Sequence, residues 1–312
     1  MKDRLVTLIG GGGFLGRYVA QELFRTGARV RIAQKRPRDA WFLKPLGGLG
    51  QTQFVAADVT RPDTIARAVE GSDLVVNLAG TFGSAMAKVH VDGARNVAES
   101  AQRSGVAALV HLSAIGAHLD SPAAYGRSKA QGEAAVREAF PNATVLRPSV
   151  MFGREDAFVN RFAAMIAVAP LVPVLRAEAR FQPAYATDVA AAAVKALGDP
   201  ALHGGHTYEL GGPDIVTMRA LYRWIADAIG RDARFVELPD ALGGLVAMFG
   251  ALPGAPITSD QWRMLQQDNV VSAGAEGFAR FGITPTPLAT VAPAWLVRFR
   301  RHGRFGQLGA AA

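Results

Sequence analysis

The chain has 312 residues, half of them hydrophobic and 19% charged, which describes a globular protein with a sizeable core and excludes a disordered one. It holds no cysteine, so disulfides, thiolate metal sites and cysteine nucleophiles are excluded. Net charge is +8 and unevenly placed: no acid follows Glu276, while Arg298, Arg300, Arg301 and Arg304 crowd the tail, which suits an anionic partner or plain solvation.

The N-terminus, "MKDRLVTLIGGGG", runs straight into a strand pattern and reads as neither signal nor transit peptide. "RLVTLI" is followed by a glycine loop and by the helical pattern "FLGRYVAQELFRTG". "ARVRIAQ" reads as strand two, "TQFVAADV" as strand three, and "DTIARAVEG" as a helix. "DLVVNLAG" is strand four, "VHVDGARNVAESAQRSG" a long helix and "AALVHLSA" strand five. Ser121-Pro122 reads as N-cap and first helical residue of the next helix, and "ATVLRPS" is strand six. Apolar strands alternating with helices imply a parallel sheet covered on both faces, an α/β Rossmann-type doubly wound fold.

Past residue 153 the regularity fades. "AFVNRFAAMIAVAP" is a helix stopped by Pro170, "TDVAAAAVKALG" a helix with Thr187 as N-cap, and "TYELGGPDIVTMRALYRWIADAIG" a strand, a turn and an amphipathic helix. The division expected is a nucleotide-binding domain over 1–153 and a smaller cap over 154–312. His203 and His206 sit in "HGGH" with no third ligand nearby, a turn and no metal site. The longest uncharged stretch, Ala241 to Ser259, is broken by four Gly and two Pro, so the sequence shows no lipid-crossing helix.

"LIGGGGFLGRYV" places Gly10, Gly13 and Gly16 between a strand and a helix that opens at Phe14 and Leu15. One glycine allows the tight turn, one lets the backbone approach a pyrophosphate, and one lets helix pack on strand. A site for NAD usually ends its second strand with an acid that holds the ribose 2′-hydroxyl. Here Gln34 stands there, followed by Lys35, Arg36 and Arg38, with Arg17 directly after Gly16. Cations at these places suit a 2′-phosphate, so the expected cofactor is NADP(H). Asp58, followed by Val59, is placed to meet the adenine, and Asn77, Ala79 and Gly80 to meet the nicotinamide half.

Tyr125 and Lys129 lie four apart, one turn along the same helix face, with Ser113 ahead of them at the end of strand five. A neighbouring ammonium and a helix N-terminus are both expected to lower the phenol pKa, making a Ser–Tyr–Lys proton-transfer set. The same geometry serves a second role, in which Lys129 holds ribose hydroxyls and Tyr125 packs beside it. Both readings stand at this point.

The Gly10/Gly13/Gly16 loop with Ser113, Tyr125 and Lys129 resembles the short-chain dehydrogenase/reductase superfamily, extended or atypical branch. "KPLGGLGQTQFVAADVTRPDTIARAVEGSDLVVNLAG", "VHVDGARNVAESA", "LVHLSAIGA", "DSPAAYGRSKAQGE", "ATVLRPSVMFG", "FQPAYATDVAAA", "TYELGGPD" and "DNVVS" narrow the match. Together they resemble, from Leu5 to about Phe299, the NADPH-binding accessory subunits of respiratory complex I in bacterial form. The resemblance implies a tightly held NADPH without known turnover, other complex I subunits as partners, and a peripheral place on the cytoplasmic side of the inner membrane. It implies cofactor contacts at Gly10, Gly13, Gly16, Arg17, Lys35, Arg36, Asp58, Lys129 and around Pro148. His90 departs from extended reductases, which often carry Asn there, while the Ser–Tyr–Lys set is intact. Apolar stretches at Ala163–Leu175, Ala241–Ile257 and Val291–Val297, two of them close to arginines, fit a surface at anionic headgroups or an acidic subunit, or else cap-domain core. No nucleic acid or metal is expected.

Overall fold

β1 (Leu5–Ile9) is a short apolar run with every residue but the first buried, and it forms an inner strand of a parallel sheet. In the computed structural model, which describes residues 1–248, 257–301 and 303, α1 (Phe14–Arg25) follows and ends two residues before Gly27, whose φ is +78°. β2 (Arg29–Gln34), β3 (Thr52–Ala56), α2 (Pro62–Val69), β4 (Leu74–Asn77), α3 (Gly93–Arg103), β5 (Ala108–Leu112), α4 (Ala124–Ala139) and β6 (Thr144–Pro148) come next. β2 and β3 are joined by a 3₁₀ segment, Pro37–Leu46, and a π-turn over Lys88–Asp92 leads into α3.

The chain then forms β7 (Met151–Phe152), α5 (Val159–Val168), β8 (Leu171–Leu175), β9 (Arg180–Phe181), β10 (Ala184–Tyr185), α6 (Ala186–Gly198), α7 (Pro200–His203) and β11 (Thr207–Leu210). After these come β12 (Val216–Thr217), α8 (Met218–Ile229), β13 (Arg234–Leu238), α9 (Asp240–Met248), α10 (Ser259–Leu265), α11 (Leu288–Val291) and α12 (Pro293–Leu296).

Two compact units result. The first comprises Met1–Pro148, Ala186–Leu210 and Ser272–Thr284; the second comprises Ser149–Tyr185, Gly211–Val271 and Pro285–Ala312. The first unit is built on a seven-stranded sheet in the order β11-β6-β5-β4-β1-β2-β3, all parallel. The order reverses between β1 and β4, so the carboxyl ends of those strands open the crevice where such folds bind ligands. The expected α/β doubly wound sheet is therefore present. "TYEL", placed in the cap by sequence, is instead the seventh strand of this sheet, paired along β6 from Thr207↔Val145 to Leu210↔Pro148.

Two helix starts also differ from expectation. α4 begins at Ala124 with Ala123 as N-cap and no side-chain cap bond, so Ser121 does not cap it. Ser121 is buried under the helix instead, so close to Gly126 that a Cβ there would stand 2.4 Å from the Ser121 hydroxyl. α6 starts at Ala186, which puts Thr187 inside the helix.

In the second unit α5 and α8 pack over a core that includes Phe152, Val159, Ile166, Leu221 and Ile225. β8 and β13 pair in parallel. Of the apolar stretches, Ala163, Ile166, Val172, Val174, Ala292 and Leu296 are core, whereas Val168 and Leu171 are exposed. The greater part of the Ala241–Ile257 stretch after α9, and Arg304 of the basic tail, lie outside the described residues. No helix among the described residues is long and apolar enough to cross a membrane.

Candidate functional site

The chain leaves β1 at Gly10, where φ is +78° and a Cβ would stand 3.2 Å from the Ala79 nitrogen. Glycine there lets the loop pass close to the end of β4. At Gly16 a Cβ would lie 2.3 Å from the Gly11 carbonyl oxygen, so only glycine lets α1 close on the loop. Gly13 is the N-cap of α1, no side chain caps the helix, and its first turn carries no acid. Phe14 stacks edge-on against Tyr18 and Leu15 is buried. The first-turn amides of this helix are thereby available to an anion.

Gln34 has a role that sequence spacing did not show. Its Oε1 accepts the Gly12 amide at 2.9 Å and its Nε2 donates to the Arg36 carbonyl at 2.7 Å. It braces the glycine loop and brings no carboxylate. Around it, the Arg17 guanidinium lies 4.3 Å from the Phe42 ring centre and that of Arg38 5.7 Å from Trp41. Lys35 pairs with Asp58 at 3.2 Å, so two residues expected to meet different parts of a nucleotide meet each other. Burial alone would raise the Asp58 pKa; the two bonds from Thr60 and the Lys35 ammonium outweigh it and hold the carboxyl below its ordinary value. Val59 is buried, and its carbonyl accepts from Asn96 Nδ2 at 2.8 Å.

The second half of the site hangs on Lys129. Its ammonium is buried and donates to the Leu112 carbonyl at 3.0 Å, one peptide away from Ser113. A Cβ on Gly80 would stand 3.6 Å from that ammonium. Ala79 and Gly80 thus join the glycine loop to Lys129, and Lys129 joins both to Ser113. Burial pulls the Lys129 pKa down to about 8, against Glu133, which raises it. The Ser113 hydroxyl is buried and has no hydrogen-bond partner among the described residues. Pro148 ends β6, and its carbonyl is taken by the Ile115 amide at 3.0 Å.

Tyr125 corrects an expectation. Burial raises its phenol to about 12, where neighbouring charge was expected to lower it. The Phe82 ring stacks on it at 4.8 Å between centres, His90 meets it edge-on at 5.5 Å, and the Lys129 ammonium lies 5.9 Å from the ring centre, engaged with Leu112. Desolvation thus exceeds the pull of the cation.

His90 Nε2 accepts the Thr81 amide at 3.0 Å, so the proton sits on Nδ1, which is 2.8 Å from the Ser128 hydroxyl. Ser128 in turn donates to the Tyr125 carbonyl at 2.9 Å. Burial, and after it Lys129, depress the His90 pKa to about 4, so this link is neutral. It ties the loop after β4 to α4, where a Cβ on Gly132 would stand 2.0 Å from the His90 carbonyl oxygen. The departure at His90 was visible in the sequence; the exposed Phe82, two residues past Gly80, carried no signal.

The model of the NAD dependent epimerase/dehydratase family matches residues 6–211. The chain belongs to that family. Within it, the epimerase-family chain is 32% identical over 96% of its length to the mitochondrial NADH dehydrogenase [ubiquinone] 1 alpha subcomplex subunit 9 of Arabidopsis thaliana, spanning 79% of that protein. The Rattus norvegicus protein of the same name is 34% identical over 91% of this chain and 77% of its own length. Among solved structures, the Escherichia coli NADPH-dependent quinone oxidoreductase complexed with NADPH shares the fold, with TM-score 0.75 and 20% identity over 93% of this chain and 99% of that one. Family members depend on a nicotinamide dinucleotide. The glycine cradle, the uncapped first turn of α1 and the unpartnered Ser113 hydroxyl fit such a group.

Proposed function

We propose that this protein is an NADP(H)-binding accessory subunit of respiratory complex I, the NADH:ubiquinone oxidoreductase, which stabilises that assembly without turnover of its own. The observation that carries the reading is the near full-length similarity to the alpha subcomplex subunit 9 proteins. In this reading the first-turn amides of α1 hold the pyrophosphate, with Gly10, Gly13, Phe14, Leu15 and Gly16 shaping the cradle. Arg17, Lys35 and Arg36 take the 2′-phosphate. Asp58 and Val59 border the adenine, and Ala79, Gly80, Lys129 and Pro148 border the nicotinamide half. A bound nicotinamide supplies hydride-transfer chemistry; nothing in the proposed role calls on it. The partners are other complex I subunits, with anionic headgroups near the basic tail and no nucleic acid or metal. The place is peripheral, on the cytoplasmic side of a bacterial inner membrane.

A tagged pull-down from gently solubilised membranes, at low and high salt, tests the reading. The other complex I subunits should come with the protein; recovery of the protein alone overturns it. A double change, Lys35→Asp with Arg36→Asp, should weaken NADPH by at least about tenfold, the loss of roughly one charge-assisted contact, and leave NADH nearly untouched. Fluorescence titration reads this, and equal losses would refute the choice of NADP(H).

A second reading rests on one observation. The unpartnered Ser113 hydroxyl, Lys129 and Tyr125 are the parts of a reductase, epimerase or dehydratase that uses NADP(H). A phenol held near 12 stays protonated at neutral pH, so it serves as a proton donor and not as a base. Tyr125→Phe separates the two. In an accessory subunit, nucleotide retention and membrane respiration stay near wild-type levels; in a reductase, turnover disappears.

A further inference from the structure

The sheet of the first unit has two edges, treated differently. On the β11 edge the chain covers itself: the Glu209 amide donates to the Glu276 carbonyl at 2.9 Å, and the Glu209 carboxylate accepts the Ser272 amide at 2.8 Å. On the other edge β3 pairs only with β2. The Val30 amide bonds to the Gln51 carbonyl and the Ala57 amide to the Gln34 carbonyl. In a parallel ladder alternate residues face alternate sides, so Thr52, Phe54 and Ala56 turn their amides and carbonyls outward. None of those groups has a partner among the described residues.

Proteins usually blunt such an edge with a charge, a proline, a bulge or a covering segment. β3 reads "TQFVA", without charge or proline. Beside it the 3₁₀ segment forms a cleft of about 830 Å³ lined by Trp41, Lys44, Pro45, Thr52 and Phe54. Trp41, Leu46 and Leu49 are exposed apolar side chains on this flank, Trp41 to 56%. Residues 35–50 carry four cations against one acid, and neither Arg38 nor Lys44 has an ion-pair partner among the described residues.

We infer that β3 receives an added strand: an extended segment of a partner polypeptide that sets an apolar side chain between Trp41 and Phe54 and carboxylates near Arg38 and Lys44. Open amides and carbonyls call for a main chain, which a lipid surface does not offer. A second copy of this chain is disfavoured, because edge-to-edge pairing would bring two net-positive segments together. The inference rests on the accessory-subunit reading and names the surface through which the subunit joins its assembly.

Hydrogen exchange of the protein alone and within purified complex I tests it. The outward amides of Thr52, Phe54 and Ala56 should slow by on the order of 100-fold in the complex. A photo-crosslinker at Trp41 should land on one subunit, in a segment holding Asp or Glu. Thr52→Pro removes an outward amide without touching the β2 ladder, and Lys44→Glu reverses an exposed charge. Each should cut co-purification by at least about tenfold while NADPH retention is unchanged, a loss of 1.4 kcal/mol or more. If the protein fails to co-purify at all, the accessory-subunit reading falls. If it co-purifies with equal exchange in both states, that reading stands and the added strand is overturned. Crosslinks to lipid, or to a second copy of the chain, also overturn it.

Discussion

Gly16→Val is expected to empty the protein of nucleotide. The Cβ it introduces meets the Gly11 oxygen at 2.3 Å, its carbonyl carbon at 2.6 Å and its Cα at 2.7 Å, all backbone, with no flexible side chain to give way. α1 must lift from the loop, and its first-turn amides, which act only at hydrogen-bond distance, move with it. Crowding of this kind costs roughly 1–3 kcal/mol of stability on its own. Gly13→Ala is the comparison: one contact, to the Gly10 oxygen at 3.3 Å, and an ordinary negative φ of −75°. It should keep most of the nucleotide. The measurement is nucleotide released by acid after gel filtration. Retention at wild-type stoichiometry in Gly16→Val would sink the phosphate site.

Glu133→Ala should give a large loss of stability outside the nucleotide site. Glu133 is almost wholly buried on α4 and grips Arg147 of β6 with two bonds, at 2.8 and 2.7 Å. Arg147 also lies 3.6 Å from Glu209 of β11, and Arg137 lies 3.5 Å from Glu133. This network ties one helix to two strands. Its effect is seen on Arg147, whose pKa is raised first of all by the bond to Glu133. Removing the carboxylate leaves a partly buried guanidinium without its main partner, a loss of about 3 kcal/mol, at the low end of the range because Glu209 remains. A fall of roughly 8 °C in Tm is the expected readout. Glu133→Gln, which keeps an acceptor, should lose less. Equal and small changes in both variants would show that packing, and not the ion pair, holds α4 to the sheet.

How far the sequence foretold these features depends on the range over which each is determined. The first six strands and the glycine loop rest on local patterns, apolar runs and turn residues, and local patterns survive into the fold. Ser121-Pro122 is also a local pattern, yet tertiary packing overrides it. Gly126 lets Ser121 tuck beneath the helix, so the start moves to Ala124. β11 has four residues and no periodicity of its own, and its pairing with β6 is a long-range choice. In the site, residue spacing set Lys129 on one helix face with Tyr125, and the Lys129 ammonium reaches the Leu112 carbonyl, one peptide from Ser113. It gave the wrong direction for Tyr125, because spacing shows the nearby charge but not the Phe82 ring that excludes water.

The late arrival of β11 bears on how the chain matures on the ribosome. When Pro148 emerges, β6 is the outermost strand and its outer edge faces solvent. The strand that covers it appears roughly sixty residues later, some 3–12 s at ordinary elongation rates, and the segment that closes β11 through Glu276 later still. Throughout that interval the nascent sheet has two bare sides. A ribosome-bound chain halted between residues 150 and 200 should therefore recruit more holdase chaperone than one released past residue 284, in which only the β3 edge stays bare.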